Sequence, residues 1–309
     1  MTSKTKGNLL LLCTSLIWGC AFVAQSVAMD DVGAWTFTCL RNLIAAIALL
    51  PMLQYTNRKH VREGKVVVQD KKALLKGGFS CGMILAVATM FQQRGIIYTS
   101  VGKTGFITAL YIVIVPLLQL CMGKRFKTSL WVAVTTAIIG FYFLSMSGNE
   151  AGIQKGDLLV LVSSFLFAVH ILIIDASVTK VSPVQISFLQ FAIAGLVCVI
   201  PMFIFEDPSW MNIKKAMGPL LYAGVISSGV GYTLQVMGQK DADPSMASMI
   251  LSLESVFSVI AGYVFLHQEL SARELLGCVL VFVAIMIANH ADRVNSKVEE
   301  EKALANSKA

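Results

Sequence analysis

Apolar residues along this chain gather into long, nearly unbroken runs separated by short polar breaks. Ten such runs lie near 8–27, 34–54, 74–93, 104–122, 129–147, 157–175, 184–205, 218–238, 244–265 and 273–290. Each approaches the roughly 20 apolar residues that a helix needs to cross a bilayer. The pattern predicts an all-α membrane protein with ten transmembrane helices. Composition agrees, because 56% hydrophobic and 14% charged residues, with a mean hydropathy of +0.72, fall far from the quarter-charged makeup of a soluble domain.

The first run has a second reading. Lys4 and Lys6 precede apolar residues that end in Ile17-Trp18-Gly19-Cys20, loosely the form of a lipid-attachment cleavage box. Bulky Trp18 argues against cleavage, and the apolar run continues through Val27.

Charge sets an expected orientation. Placing the N-terminus inside puts 18 Lys/Arg on the inner side and six on the outer, with Arg41 inside a span. That bias follows the positive-inside rule and predicts two cytoplasmic termini. It also explains the net charge of +7 by topology alone, with no nucleic-acid partner. The seven cysteines show no CxxC or His/Cys ligand spacing, so they read as small core residues, and neither metal nor cofactor is expected.

The chain repeats itself. A slide of 149 lays Leu40-Arg41 on Leu189-Gln190, Ile44-Ala45 on Ile193-Ala194, Ser15 on Ser164 and Trp18 on Phe167. A slide of 143 lays Gln92 on Gln235, Gly95 on Gly238, Ile107 on Ile250, Leu110 on Leu253 and Tyr111 on Glu254. Spans one to five, residues 8–147, therefore correspond to spans six to ten, residues 157–290, with 291–309 left as a cytoplasmic tail. An odd number of crossings per unit makes the repeat inverted, the arrangement by which many secondary transporters open a midplane site to either face.

Several residues together resemble the drug/metabolite transporter superfamily, specifically proteins with two EamA-type domains. They are Trp18-Gly19-Cys20-Ala21-Phe22, Leu40-Arg41, "TALYIVIVP" from Thr108 to Pro116, "LSLESVF" from Leu251 to Phe257 and the following "FLHQELSARELLG". The resemblance implies ten helices, cytoplasmic termini, a central cavity and movement of small metabolites across the cell membrane, commonly outward. One departure is that His267-Gln268-Glu269 is matched in the first half by Gly123-Lys124-Arg125, where the family often carries a Glu.

Polar residues inside the runs supply the candidate site. In "MILSLESVFSVIAGYVFL", Met249 to Leu266, Glu254 is the one acidic or basic side chain. A charge at that depth costs about 2.5–3.5 kcal/mol on insertion scales, so it marks either a proton or cation site or a carboxyl kept as interhelical glue. Its helix carries a small-residue face of Ser248, Ser252, Ser255 and Gly262, with Ser258 beside it. Arg41 reads as a partner for a substrate anion or for Glu254, or as an anchor that snorkels to the interface. Trp18 and Gln25 share a face of the first helix, and Gln92, Tyr111, His170, Gln190 and Gln235 complete the candidate lining. The stripe Gly224, Ser228, Gly231, Gln235 reads chiefly as packing. Pro116 is expected to bend the fourth span near Tyr111.

No GxxxxGK[ST] loop, HExxH or midplane aspartate pair occurs, so ATP-driven pumping and those classes of intramembrane hydrolysis lack their motifs. The expected function is secondary transport of small polar or amphipathic metabolites by a monomer or homodimer, with protons a candidate coupling ion. An intramembrane enzyme using Glu254 or His170 as base, or a receptor or scaffold, is the alternative.

The charge bias generates a topology prediction. Reporters inserted beside Arg62 should report the cytoplasm, and reporters beside Asn149 the opposite side. Finding both on one side would break the inverted arrangement.

Overall fold

The computed structural model describes residues 3–62, 71–123, 128–145, 154–178, 181–240, 242, 244–284 and 286–287. Every described element is helical. Asn149, Lys124, Arg125 and the 291–309 tail lie outside the described residues.

The helices are α1 (Ser3–Ala28), α2 (Ala34–Arg62), α3 (Lys71–Ile96), α4 (Val101–Thr108), α5 (Tyr111–Cys121), α6 (Thr128–Ser145), α7 (Lys155–Val178) and α8 (Pro183–Phe205). After them come α9 (Trp210–Lys215), α10 (Met217–Leu221), a π-helical segment (Tyr222–Tyr232), α11 (Thr233–Gln239), α12 (Pro244–Leu251) and α13 (Glu254–Leu266). A last helix, α14, covers 272–284. Seven helical stretches, counting α4–α5 and α10–α11 each as one, are long and apolar enough to cross a membrane. The remaining three of the ten apolar runs fall on α6, on the interrupted α12–α13 and on α14.

Helix is the form that apolar surroundings demand, because it satisfies backbone donors and acceptors within one segment. Hydroxyl side chains obey the same demand. Thr89 and Thr233 donate to the carbonyls of Leu85 and Gly229, each four residues back. Their polarity is spent on their own helix. The outward faces stay apolar, with Trp131, Ile138, Phe203, Phe265 and Val279 all exposed, as lipid contact requires.

Close approach between helices depends on small residues. A Cβ at Gly19 would strike Phe257 and the Glu254 carbonyl, seating α1 against α13. A Cβ at Gly105 would strike Ser258, seating α4 there as well. The small-residue face beside Glu254 therefore packs on α4 rather than opening toward a ligand. α2 packs chiefly on α8, and α3 lies between α7 and α8.

Two helices break in the same way. Between α4 and α5, the amides of Leu110, Ile112 and Val113 bond to the carbonyls of Ile107, Ala109 and Leu110, each three residues back. Between α12 and α13, Leu253, Ser255 and Val256 bond to Ile250, Ser252 and Leu253. The second set lies at the 143 offset found in the sequence. Each break is a single tightened turn that keeps its backbone donors bonded. Pro116 is not its cause, which corrects the sequence expectation: the second break forms with Val259 at the equivalent position, and Pro116 sits well inside α5.

One end of the bundle is tied by polar groups. Lys103 Nζ lies 3.1 Å from Glu274 Oε1 with both side chains buried. The other Glu274 oxygen accepts from the Ser271 amide at 2.7 Å, and Ser271 Oγ accepts from the Glu274 amide at 3.3 Å, so a capping box opens α14. Gln268 Oε1 accepts from the Val101 amide. Glu206 caps α2 by accepting from the Trp35 and Thr36 amides, both at 2.8 Å. His267 ends α13 in the left-handed region at φ 52°, and Gly123 follows α5 at φ 91°.

The buried ion pair yields a stability prediction. Lys103→Met should cost roughly 3–5 kcal/mol by stranding the Glu274 carboxylate, and adding Glu274→Gln should restore much of it. Equal unfolding temperatures for the wild type and Lys103→Met in the same detergent would show that the pair contributes nothing.

Candidate functional site

Eight of the nine residues singled out in the sequence line one cavity in the middle of the bundle: Trp18, Gln25, Arg41, Gln92, Tyr111, His170, Gln235 and Glu254. The ninth, Gln190, stands behind it, with its Oε1 2.9 Å from His170 Nε2. In that orientation Nε2 donates and Nδ1 is left as an acceptor.

Arg41 and Glu254 are each 2% exposed. Burial at that level excludes snorkelling, so the interface-anchor reading of Arg41 is set aside. The two also do not pair with each other. Arg41 Nη1 donates to Gln25 Oε1 at 3.3 Å, and its guanidinium lies 6.0 Å from the Phe37 ring centre. Glu254 begins α13, directly after the tightened turn, so the break carries its carboxyl into the cavity. Tyr111 begins α5 at the matching place. The two breaks thus deliver a phenol from one half and a carboxyl from the other.

Glutamines brace the walls. Gln92 donates to Thr108 Oγ1 at 3.1 Å, and Gln93 donates to the Gln25 carbonyl at 3.0 Å. The first helix is fastened to the π-helical segment by three side-chain bonds. Trp18 Nε1 donates to the Ser227 carbonyl, Thr14 to the Gly231 carbonyl, and Tyr222 to the Ile17 carbonyl.

Despite these bonds, four polar atoms around the cavity have no hydrogen-bond partner among the described residues: Arg41 Nε, His170 Nδ1, Gln190 Nε2 and Gln235 Oε1, while the Tyr111 hydroxyl faces the Glu254 carboxyl. Donors and acceptors are both present. Such a set suits a polar molecule that offers both, at a general cost of about 1–3 kcal/mol for each buried group left unmet. The cavity volume in this conformation is about 30 Å³. That is space on the scale of a water molecule, against a typical 300–1,000 Å³ for a small-molecule pocket. Among the described residues no group of His, Cys, Asp and Glu could hold a metal ion.

The sequence reading missed Tyr232. Its ring centre lies 4.5 Å from Trp18, 5.4 Å from Phe191 and 6.0 Å from His170, which makes it the aromatic hub of the cavity. It is next to Gly231 in the stripe assigned to packing. A wheel drawn at 3.6 residues per turn misplaces it, because Tyr222–Tyr232 is wound as a π-helix with i→i+5 bonds. Gly231 does pack, against Trp18, and Gly224 packs against Ile44. Gln235 of the same stripe reaches the cavity.

Gly78-Phe79-Ser80-Cys81-Gly82 has GxSxG spacing, the form of a hydrolase nucleophile elbow. That motif requires a strand-to-helix turn, whereas these residues lie inside α3, so the spacing carries no elbow.

A helical membrane bundle around a closed polar cavity defines the class of membrane transporter. The chain belongs to the EamA-like transporter family, whose model matches it twice, over residues 5–146 and 154–289. It is 28% identical to an uncharacterized transporter of Archaeoglobus fulgidus over 90% of this chain and 84% of that protein. It is 25% identical to the uncharacterized transporter YwfM of Bacillus subtilis over 95% and 98%, and 23% identical to the biotin transporter of Escherichia coli over 84% and 85%. A solved crystal structure with 15% identity superposes with a TM-score of 0.68 over 94% of this chain and 99% of that chain, a likeness of fold.

Trp18→Ala and Gln25→Ala are each expected to weaken ligand binding roughly tenfold, the scale of one lost polar or aromatic contact. Ligand-induced shifts in unfolding temperature measure it. Unchanged shifts in folded variants would reassign both residues to packing.

Proposed function

We propose that the protein is a secondary transporter that carries small polar or amphipathic metabolites by alternating access, in the export direction, with the central cavity as its substrate site. One observation carries the reading: Arg41 and Glu254 are both buried at a single cavity, and neither neutralises the other. Ionisable groups held at such depth without mutual pairing mark substrate or ion pathways. Arg41 would receive an anionic group of the substrate. Glu254 would take a proton or a cationic group. The E. coli relative named as a biotin transporter supports a site for small organic molecules.

The frame of this proposal is ten spans in two inverted units, 8–147 and 157–290, with both termini and the 291–309 tail in the cytoplasm of a cell that holds the protein in its plasma or inner membrane. The matching breaks before Tyr111 and Glu254 support that frame, as does the double family match. It needs no partner chain, so a monomer or a homodimer serves equally.

The test is Glu254→Gln, which keeps shape and hydrogen bonding but cannot ionise. In liposomes it should stay folded, lose most net transport, by roughly tenfold or more, and lose the dependence of rate on pH. Glu254→Asp should keep part of the activity. A Gln variant with wild-type rate and pH profile would remove Glu254 from the mechanism, and normal Gln activity with lost stability in Glu254→Leu would establish interhelical glue. Preloaded vesicles read direction: efflux from the cytoplasmic side supports export, and strict uptake overturns it.

A further inference from the structure

A second, larger cavity, which shares no lining residue with the central site, lies between α2, α3, α7 and α8. Its volume is about 600 Å³, and its walls include Trp35, Val87, Phe91, Leu159, Val197 and Phe205. Two cations stand at its mouth. Arg94 is in the last turn of α3, and Lys155 is the first residue of α7, with Nζ 5.3 Å from the Tyr98 ring centre. Neither cation has a carboxylate partner among the described residues, and no acidic side chain lines the cavity. Of the nearby acids, Glu206 holds the α2 amides, and Asp157 is fully buried, its Oδ1 accepting from Thr99 and its Oδ2 without a hydrogen-bond partner among the described residues.

The shape follows the bilayer. Arg94 to Ala86 on α3, and Phe205 to Val197 on α8, each span eight residues, roughly 12 Å of helical rise. The groove therefore runs from charge at the helix ends to purely apolar walls near the membrane's middle. It is open along that length, with Val87 41% and Val197 36% exposed. An aqueous vestibule would carry polar groups down its walls, and this one carries none below Arg94 and Lys155.

We propose that this groove is a binding site for one anionic phospholipid, with its phosphate between Arg94 and Lys155 and an acyl chain lying between α3 and α8. Basic residues between transmembrane helices recognise lipid head groups in this manner. The lipid would fill the groove on the side of α3 and α8 away from the central cavity.

Trp35 on the wall supplies the probe. A variant retaining it as the sole tryptophan (Trp18→Phe, Trp131→Phe, Trp210→Phe) is placed in vesicles where either phosphatidylglycerol or phosphatidylcholine carries brominated acyl chains. Brominated phosphatidylglycerol should quench Trp35 as though bound roughly tenfold more tightly, the scale of two surface cations acting on one phosphate. Adding Arg94→Gln and Lys155→Gln should erase the preference. Native mass spectrometry of the otherwise wild-type protein, with and without those two substitutions, reads the same retained lipid should the tryptophan variant fail to fold. Equal quenching by the two lipids, or a preference that survives loss of both cations, overturns the proposal. So does relief of quenching by a water-soluble carboxylate such as octanoate, which would make the groove an entrance for solutes.

Discussion

Hydrocarbon offers no hydrogen bonds, and every feature of this protein answers to that constraint. The backbone answers by staying helical across every described element. Where two helices break, they tighten to i→i−3 bonding instead of unwinding, so neither break exposes a run of amides. Threonines and serines turn their hydroxyls back onto their own helices. Some groups stay unsatisfied among the described residues, and those of Arg41, His170, Gln190 and Gln235 stand around the central cavity. In a bilayer protein such groups cannot be relieved by solvent at the surface. They can be relieved by a polar molecule admitted to the cavity, which is the physical basis for proposing the cavity as the site.

Symmetry of frame and asymmetry of content divide the work. The breaks match bond for bond, yet one half presents Tyr111 and the other Glu254. Arg41 has Gln190 as its counterpart, and each bonds to the helix before it, Arg41 to Gln25 on α1 and Gln190 to His170 on α7. The π-helical segment falls in the second half, while the equivalent stretch of the first half is regular α3. Matching backbone geometry thus presents unlike polar groups to one cavity.

Much of this was legible in the sequence, for a reason that also marks the limit. Apolar run length is read directly, and each of the ten runs falls on helix. Ionisable and amide side chains in such runs are costly, so eight of the nine chosen from that cost line one cavity. Geometry that departs from the 3.6-residue period was not legible. The small-residue face at Ser248–Gly262 was drawn on a continuous helix, whereas the chain tightens at Ser252–Leu253. Tyr232 was hidden by the π-helix. The break before Tyr111 was assigned to Pro116 because proline is the visible helix breaker, while the matching break in the second half forms with Val259 in its place. Short-range partners such as Glu206 on the α2 amides and Glu274 on Lys103 needed the tertiary fold to bring them together.

For the transport proposed above, the size of the central cavity makes motion a requirement rather than an option. About 30 Å³ admits no metabolite, so a substrate can reach Arg41 and Glu254 only if helices separate. Fully packed interfaces resist separation: α1 meets α13 at Gly19, and α4 meets α13 at Gly105, with no room for even one added carbon. Such contacts move as bodies or not at all, because close-packed surfaces shift between discrete arrangements instead of deforming smoothly. The tightened turns at 109–110 and 252–253 are the places where a long helix can change direction while its backbone bonds stay made. Both lie beside the cavity, and the residues that follow them are Tyr111 and Glu254. Under the proposed alternating access, a bend at either turn would move one of these residues in the same step that moves the half-helix beyond it, coupling what the cavity holds to which way the bundle opens.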